Sequence, residues 1–257
     1  MFKENRDFWL YFLGIIVMFF LLFSVLRGGF QDSSLIFSGF PFNLVETQKK
    51  IFAEPDYVLD KSKNYQAIIK TNRGDIEIDL LENSAPNTVS NFIYLANNDY
   101  YDGLLFHRYL SGLLLQGGSG NTRNSDPNDD KFGGPGYVIK DEINWDSLDY
   151  SEQKKGELKA LGYESVPNVA SSRLKKYSLA MASNGPNTGG SQFVIILADS
   201  NDQRVMALEG KHTVFGSVIG GFTVLEGLKG IELIDADSES PRPLNFRLDS
   251  IEIKVKE

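Results

Sequence analysis

Three polar islands set in apolar text hold most of the side chains that could do chemistry. The first runs Phe106-His107-Arg108 and ends at Gln116-Gly117-Gly118. The second is Met181-Ala182-Ser183-Asn184-Gly185-Pro186-Asn187-Thr188-Gly189-Gly190-Ser191-Gln192-Phe193, and the third is Gly210-Lys211-His212-Thr213-Val214-Phe215-Gly216. What they lack narrows the options. The chain has no cysteine, which removes thiol catalysis, disulfides, zinc ribbons and iron–sulfur clusters together. Its two histidines, His107 and His212, show no H-E-x-x-H spacing, so no metal site is expected. Gly117-Gly118-Ser119-Gly120-Asn121 lacks the final glycine of a G-x-S-x-G elbow, and neither G-x-x-x-x-G-K-[ST] nor a strand-to-helix G-x-G-x-x-G is present. The carboxylates are scattered over turns and strand surfaces, with no support for a paired acid/base site. The glycines and Asn187-Thr188 read as turn and loop formers. Arg108 remains, and the commoner fate of a lone arginine on a strand is a salt bridge.

The elements that must carry these islands are short strands. Tyr65 to Thr71 and Asp75 to Leu81 alternate β-branched and polar residues around Asn72-Arg73-Gly74, which predicts a β-hairpin with Gly74 at positive φ. A helix is predicted from Ala85-Pro86, where proline suits the first turn, with Val89, Phe92, Ile93 and Ala96 on one core-facing side. Strand-like stretches follow around Leu104 to Leu115, Ser178 to Ala182, Gln192 to Ile196, His212 to Val218 and Phe246 to Val255, with a short helical pattern at Phe222 to Leu228. Many short strands and two marked helices predict a mostly β fold, a closed antiparallel barrel capped by helices. Residues 145–176 interrupt that rhythm with a long, polar, partly helical stretch: Ser151 suits an N-cap, Leu158 and Leu161 share a face, and Gly162 is a stop. This insertion reads first as a stabilising lid on the barrel flank.

Length and charge set the frame. The 257 residues suffice for one large domain or two small ones, and 42% hydrophobic with 23% charged residues is an ordinary globular balance. A net charge of -8 excludes the electrostatic footprint of a nucleic-acid binder.

The apolar residues are unevenly spread. Phe8 to Leu26 is a run of 19 residues without a charge, which as a helix would reach ~28 Å, close to the ~30 Å hydrocarbon core of a bilayer. A cleaved signal peptide is the nearest rival, but the apolar part exceeds ~7 to 15 residues and no A-x-A site follows. A retained anchor through residues 8–26 is therefore expected. Lys3 and Arg6 precede it and Arg27 alone follows until Lys49, which predicts a cytoplasmic N-terminus and an extracytoplasmic domain. The expected organisation is a cytoplasmic stub and transmembrane helix at 1–27, a juxtamembrane spacer at 28–62, and a folded domain at 63–257 carrying the insertion.

The three islands, the opening hairpin, the Pro86 helix and Tyr101-Asp102-Gly103-Leu104 resemble the cyclophilin family of peptidyl-prolyl cis-trans isomerases in residue type, order and spacing, from about Asn64 to Glu257. The resemblance implies an eight-stranded antiparallel barrel closed by two helices, a proline-binding groove on its outer wall, proline-containing polypeptides as partners, and no cofactor. A monomer is expected. By this resemblance Arg108 is the catalytic arginine, and Gln116 holds it and the substrate carbonyl side. Gln192 contacts the peptide backbone together with main-chain groups of Ala182 and Ser183. Leu113, Leu114, Val194, Leu208 and His212 wall the proline pocket, and Phe215 supports the wall. His212 is expected to be a wall residue that transfers no proton, and His107 to be structural.

The chain departs from the family pattern at that pocket. Leu113 and Leu114 stand where an aromatic and a methionine are usual, Val194 at a second aromatic position, Ser183 for an asparagine, and Ala207 where tryptophan is frequent. Lost burial and stacking of ~1 to 3 kcal/mol would weaken the hold on a proline ring. Two functions are consistent with this: a membrane-anchored isomerase that assists folding, or a catalytically weak proline-binding or chaperone-like module whose groove or insertion recruits one partner.

Overall fold

The computed structural model describes residues 50–256 apart from 54, 61 and 125. The expected span at 8–26 and most of the expected spacer lie outside the described residues. Among the described residues no helix is long and apolar enough to cross a membrane.

The hairpin forms as its alternation dictates: β1 (Tyr65–Thr71) and β2 (Gly74–Leu80) pair antiparallel, with Gly74 at φ +119 in the turn. Ala67, Ile69, Ile76 and Ile78 point inward and are fully buried. Then come helix α1 (Pro86–Asn97), β3 (Arg108–Leu110), β4 (Leu114–Gly117), α2 (Glu152–Ala160), β5 (Ser178–Met181), β6 (Phe193–Ile196), α3 (Gln203–Leu208), β7 (Val214–Gly220), α4 (Phe222–Glu226), the short pair β8 (Leu233–Ile234) and β9 (Arg242–Pro243), and β10 (Leu248–Val255). Eight strands form one sheet in the order β10-β1-β2-β7-β5-β6-β4-β3. Every neighbouring pair in it is antiparallel.

The sheet is curled but not closed, which corrects the expected closed barrel. Its edges are β10 and β3, and β3 is too short to pair with β10 because the chain turns at Gly112, φ +64, after Leu110. The Tyr109 N–H goes instead to the Pro241 carbonyl at 2.8 Å. Irregular chain bridges the seam: the Phe106 N–H donates to the Phe246 carbonyl at 3.1 Å and the Leu248 N–H to the Leu104 carbonyl at 2.8 Å. The Phe106 and Phe246 rings stack across it at 4.6 Å.

The interior is one apolar cluster to which α1 and the segment around α4 both contribute, through Val89, Phe92, Ile93, Leu225 and Leu228. Phe92 is its hub, 5.9 Å from Phe193 and 5.3 Å from Phe215. Two further helices go beyond the expected pair. One, α2, lies in the insertion with Ser151 as its N-cap, as its sequence predicts; Leu158 is buried, but Leu161 is exposed beyond the helix end, so the two do not share a buried face. The other, α3, is capped by Asp202, whose carboxylate accepts the Arg204 N–H.

Residues at the end of the expected spacer lie along the domain. The Phe52 N–H bonds the Pro135 carbonyl at 2.7 Å, the Phe52 ring meets Tyr94 at 5.6 Å, and the Val58 N–H reaches Ser90 Oγ at 2.8 Å.

The start of α1 has no cap from its own sequence, because Ala85 offers no side-chain acceptor. Glu142, buried and far along the chain, takes that role: its carboxylate accepts the Asn87 N–H at 3.0 Å, and the Thr88 N–H and Thr88 Oγ1 at 2.7 Å each. A carboxylate there satisfies orphan donors and meets the positive end of the helix dipole. Glu142→Ala should therefore cost about 2 kcal/mol, lowering the thermal midpoint by about 4–8 °C without altering the far-ultraviolet circular dichroism spectrum at 25 °C.

Candidate active site

Alternation along the strands sorts their side chains between two faces. Tyr109, Leu115, Leu179, Met181, Phe193, Ile195 and Phe215 go inward to the main core. Leu114, Ala180, Val194, Ile196 and Val214 go outward and form a second apolar cluster. Arg108 and Gln116 fall on that outward face by the same parity. The ladders then set them in one row: Arg108 opposite Gln116, Gln116 opposite Val194, Val194 opposite Ala180, Ala180 opposite Val214. With strands ~4.8 Å apart, the arginine's strand lies roughly 10 Å from the valine's, about the length of three extended residues.

A cleft of about 490 Å³ opens over this row. Its apolar end is lined by Leu114, Leu174, Val194, Ile196, Leu208 and the ring of His212. Its polar end holds His107, Arg108, Gln116 and Gln192, with the loop Lys131–Pro135 across from them. Ala182 and Ser183 form part of the wall between. Exposed Phe132 and Val138 stand at the rim.

Arg108 is half-buried, and its Nε donates to the Glu239 carbonyl at 3.1 Å. Among the described residues this is the guanidinium's one hydrogen bond, so its terminal nitrogens keep donors to offer. Burial draws its pKa down and the Glu239 carboxylate pulls it back up; a guanidinium stays charged under both. Gln116 is its ladder neighbour but does not hold it. The Gln116 Nε2 donates to Gln192 Oε1 at 2.9 Å, because the facing amide on β6's flank is closer than the guanidinium anchored at Glu239. Gln192 Nε2 in turn donates to the carbonyls of Lys131 at 3.0 Å and Gly133 at 2.8 Å. The Ala182 N–H is taken by the Gln192 carbonyl at 2.9 Å.

His212 Nδ1 lies 3.1 Å from the Met181 carbonyl and 3.3 Å from Ser183 Oγ. A carbonyl is only an acceptor, so the proton sits on Nδ1, and burial lowers the ring's pKa and keeps it neutral. His107 is more deeply buried, with no hydrogen bond to either ring nitrogen, and burial lowers its pKa to about 4. Among the described residues no carboxylate or cation pairs with either imidazole, and the cleft offers donors and apolar surface.

The comparisons with known proteins agree with this geometry. The family described as cyclophilin type peptidyl-prolyl cis-trans isomerase/CLD matches residues 66–251. The chain belongs to the cyclophilin-type peptidyl-prolyl cis-trans isomerases. It is 37% identical over 191 residues to peptidyl-prolyl cis-trans isomerase B of Streptomyces anulatus, covering 68% of this chain and 86% of that protein. It is 34% identical over 177 residues to the peptidyl-prolyl cis-trans isomerase of Helicobacter pylori, with the same coverage. Among solved structures, a cyclophilin-type isomerase of Cryptosporidium parvum superposes with a TM-score of 0.54 at 28% identity, covering 76% of this chain and 99% of that one. A structure of that protein in the presence of the dipeptide Ala-Pro gives a TM-score of 0.52 at 28% identity.

Within this cyclophilin the cleft gathers Arg108, Leu114, Gln116, Ala182, Ser183, Gln192, Val194, Leu208 and His212. It does not gather all the residues expected. Leu113 is buried in the same outward apolar cluster as Leu114 but precedes β4 and does not line the cleft. Ala207 is exposed on α3 and off the cleft, since the helix turns Leu208 inward instead. Phe215, expected to support the wall and not to line it, lies on the inner face one step from Val214 and packs on Phe92. Contributors that were not expected include the Lys131–Pro135 loop, Ile196, Leu174 and the Glu239 carbonyl. Ile196 was legible as the second residue after Val194 on the same face. Leu174 comes from the polar insertion, and the Glu239 carbonyl from a loop more than a hundred residues from Arg108; neither carries a local signal.

The buried histidines make the cyclophilin acid-sensitive. A folded pKa of about 4 for His107, against 6.5 when exposed, means the unfolded chain binds more protons between those values. Stability is then complete above pH 6.5 and is lost as pH falls toward 4, by about 3 kcal/mol at most from this group. The thermal midpoint should fall over that window, and His107→Asn should flatten the fall.

Proposed function

We propose that this cyclophilin turns X-Pro bonds with Arg108 as the catalytic residue, the proline ring seated among Leu114, Val194, Leu208 and His212. The observation that carries the reading is the cross-strand row, which sets a half-buried guanidinium and an apolar pocket on one face of the sheet, two strands apart. The Cryptosporidium isomerase has a structure in the presence of the dipeptide Ala-Pro, which carries the kind of X-Pro bond this cleft would hold.

The chemistry asks for no more than these parts. Rotation about an X-Pro amide is opposed by resonance, a barrier of ~18–20 kcal/mol, and proceeds in tens to hundreds of seconds unaided. At the twisted midpoint the prolyl nitrogen loses conjugation and gains a localised lone pair. A donor from Arg108 directed at that lone pair stabilises the midpoint more than either planar end, and each ~1.4 kcal/mol of that difference gives about tenfold in rate. The neighbouring amides of Gln116 and Gln192 and the carbonyl edge at Ala182 and Ser183 would hold the flanking peptide. No bond is made or broken, so a neutral His212 serves as wall and not as a proton donor. With Leu114 and Val194 at the strand positions, the pocket holds the ring there by aliphatic burial and not by stacking. Arg108→Ala should lower kcat/KM for a proline-containing tetrapeptide by about 10² to 10³ while the circular dichroism spectrum is unchanged, and Arg108→Lys should not restore it, since a point charge lacks the fork of donors. A folded Arg108→Ala variant with undiminished activity would remove the arginine from the mechanism.

We further propose that the enzyme acts on refolding polypeptides outside the cytoplasm, tethered by residues 8–26. The support is the 19-residue uncharged run and the basic residues before it. Protease added to intact cells should digest the isomerase domain, with the chain fractionating with membranes; a protected domain would reverse the orientation.

A further inference from the structure

The insertion at 145–176 has no role in the reading above. Ile143, Trp145, Leu148 and Leu158 make a small core of their own, with Tyr150 and Tyr163 packed against it. That core is seated on the corner between Leu208 and His212, the same corner that forms one wall of the cleft. Gly210, at φ +84, is the point of contact: a Cβ there would lie 2.7 Å from Leu158 Cδ1 and 3.1 Å from Tyr150 Cε2. Beside it the Glu209 carboxylate accepts the Leu174 N–H at 2.9 Å and pairs with the Arg173 guanidinium at 3.6 Å. Arg173 lies over the Tyr150 ring at 5.2 Å and donates to the Leu148 carbonyl. The insertion and the cleft wall are thus clasped through one carboxylate. The clasp delivers the Leu174 side chain, 3% exposed, into the cluster of Leu114, Val194 and Ile196, where it lines the cleft beside Leu208.

We propose that Leu174, presented by the insertion through the Glu209 clasp, is a specificity-determining wall of the proline pocket and sets the size of ring the pocket accepts. This rests on the reading of that apolar end as the seat of the ring. The strands offer only aliphatic side chains there, and their reach is limited by the sheet from which they project. A leucine entering from a separate segment packs against them and narrows the same space. Its position depends on a backbone hydrogen bond and an ion pair and not on strand register, so Glu209 is a positioning residue for the pocket.

The test uses the full-length chain and two tetrapeptides, one with proline and one with its six-membered homologue, pipecolic acid. One methylene in an apolar pocket discriminates by roughly 10- to 200-fold, so removing the wall should erase part of that ratio. Leu174→Ala is expected to raise KM for the prolyl peptide about tenfold, to leave kcat within about twofold, and to lower the prolyl-over-pipecolyl preference about tenfold. Leu174→Met should restore both, and Glu209→Ala should shift both in the same direction as Leu174→Ala. A folded Leu174→Ala enzyme with unchanged KM and unchanged ring preference would reduce the insertion to a flank brace. If that variant does not fold, the series Leu174→Met, Leu174→Ile and Leu174→Val decides: a preference that falls with side-chain volume supports the wall, and a constant preference overturns it. Val194→Ala separates the two ways to fail. Silence at both positions means the ring sits elsewhere, whereas silence at Leu174 with an effect at Val194 sinks only the insertion's role.

Discussion

A charged donor and an oily notch can act on the same amide only if they share one face of one sheet. In this protein that condition is met by strand parity. Arg108, Gln116, Val194, Ala180 and Val214 occupy one ladder row across β3, β4, β6, β5 and β7, and all of them face outward. A register slip of one residue in any of these strands would turn its member of the row inward and bring a bulky core residue such as Tyr109 or Phe193 to the surface. The buried aromatic hub around Phe92 opposes such a slip, because Phe193 and Phe215 pack on it from two different strands. Core packing and site geometry are thus the same constraint seen from the two faces of the sheet.

The electrostatics of the cleft follow from how little is titratable within it. Both imidazoles are driven toward neutrality by burial, and Arg108 brings a guanidinium that cannot be discharged. For a reaction without proton transfer this is sufficient. The polar groups that line the cleft beside Arg108 are largely amides and backbone carbonyls, which cost less to desolvate than charges.

Loops complete what the strands begin. Asp130, buried, pairs with Arg242 at 3.0 Å and so fixes the Lys131–Pro135 loop against which Gln192 is bonded. The stretch carrying Glu239 receives Arg108, and Glu142 caps α1 while its own N–H donates to Thr213, the residue after His212. Each of these links joins segments distant in sequence, and each ends within a residue or two of the cleft.

The sequence by itself determined the elements and the family. Tyr65–Thr71 and Gly74–Leu80 alternate at period two around a glycine turn, and Pro86 opens a helix with an apolar stripe, so short-range sterics and periodicity suffice for them. The polar islands were legible for the same reason: side chains on successive outward positions of β4, β5 and β6 are read off parity once a strand is recognised, and the same parity puts Phe215, one step from Val214, on the inner face. Tertiary structure alone decided that the sheet stays open at a seam, that Gln116 bonds Gln192 and not Arg108, that Ala85 borrows its cap from Glu142, and that Leu174 enters the pocket wall. The physical reason is common to all four. A hydrogen bond or an apolar contact between residues far apart in sequence depends on where the fold carries two backbones, and no local pattern of residue types encodes that distance.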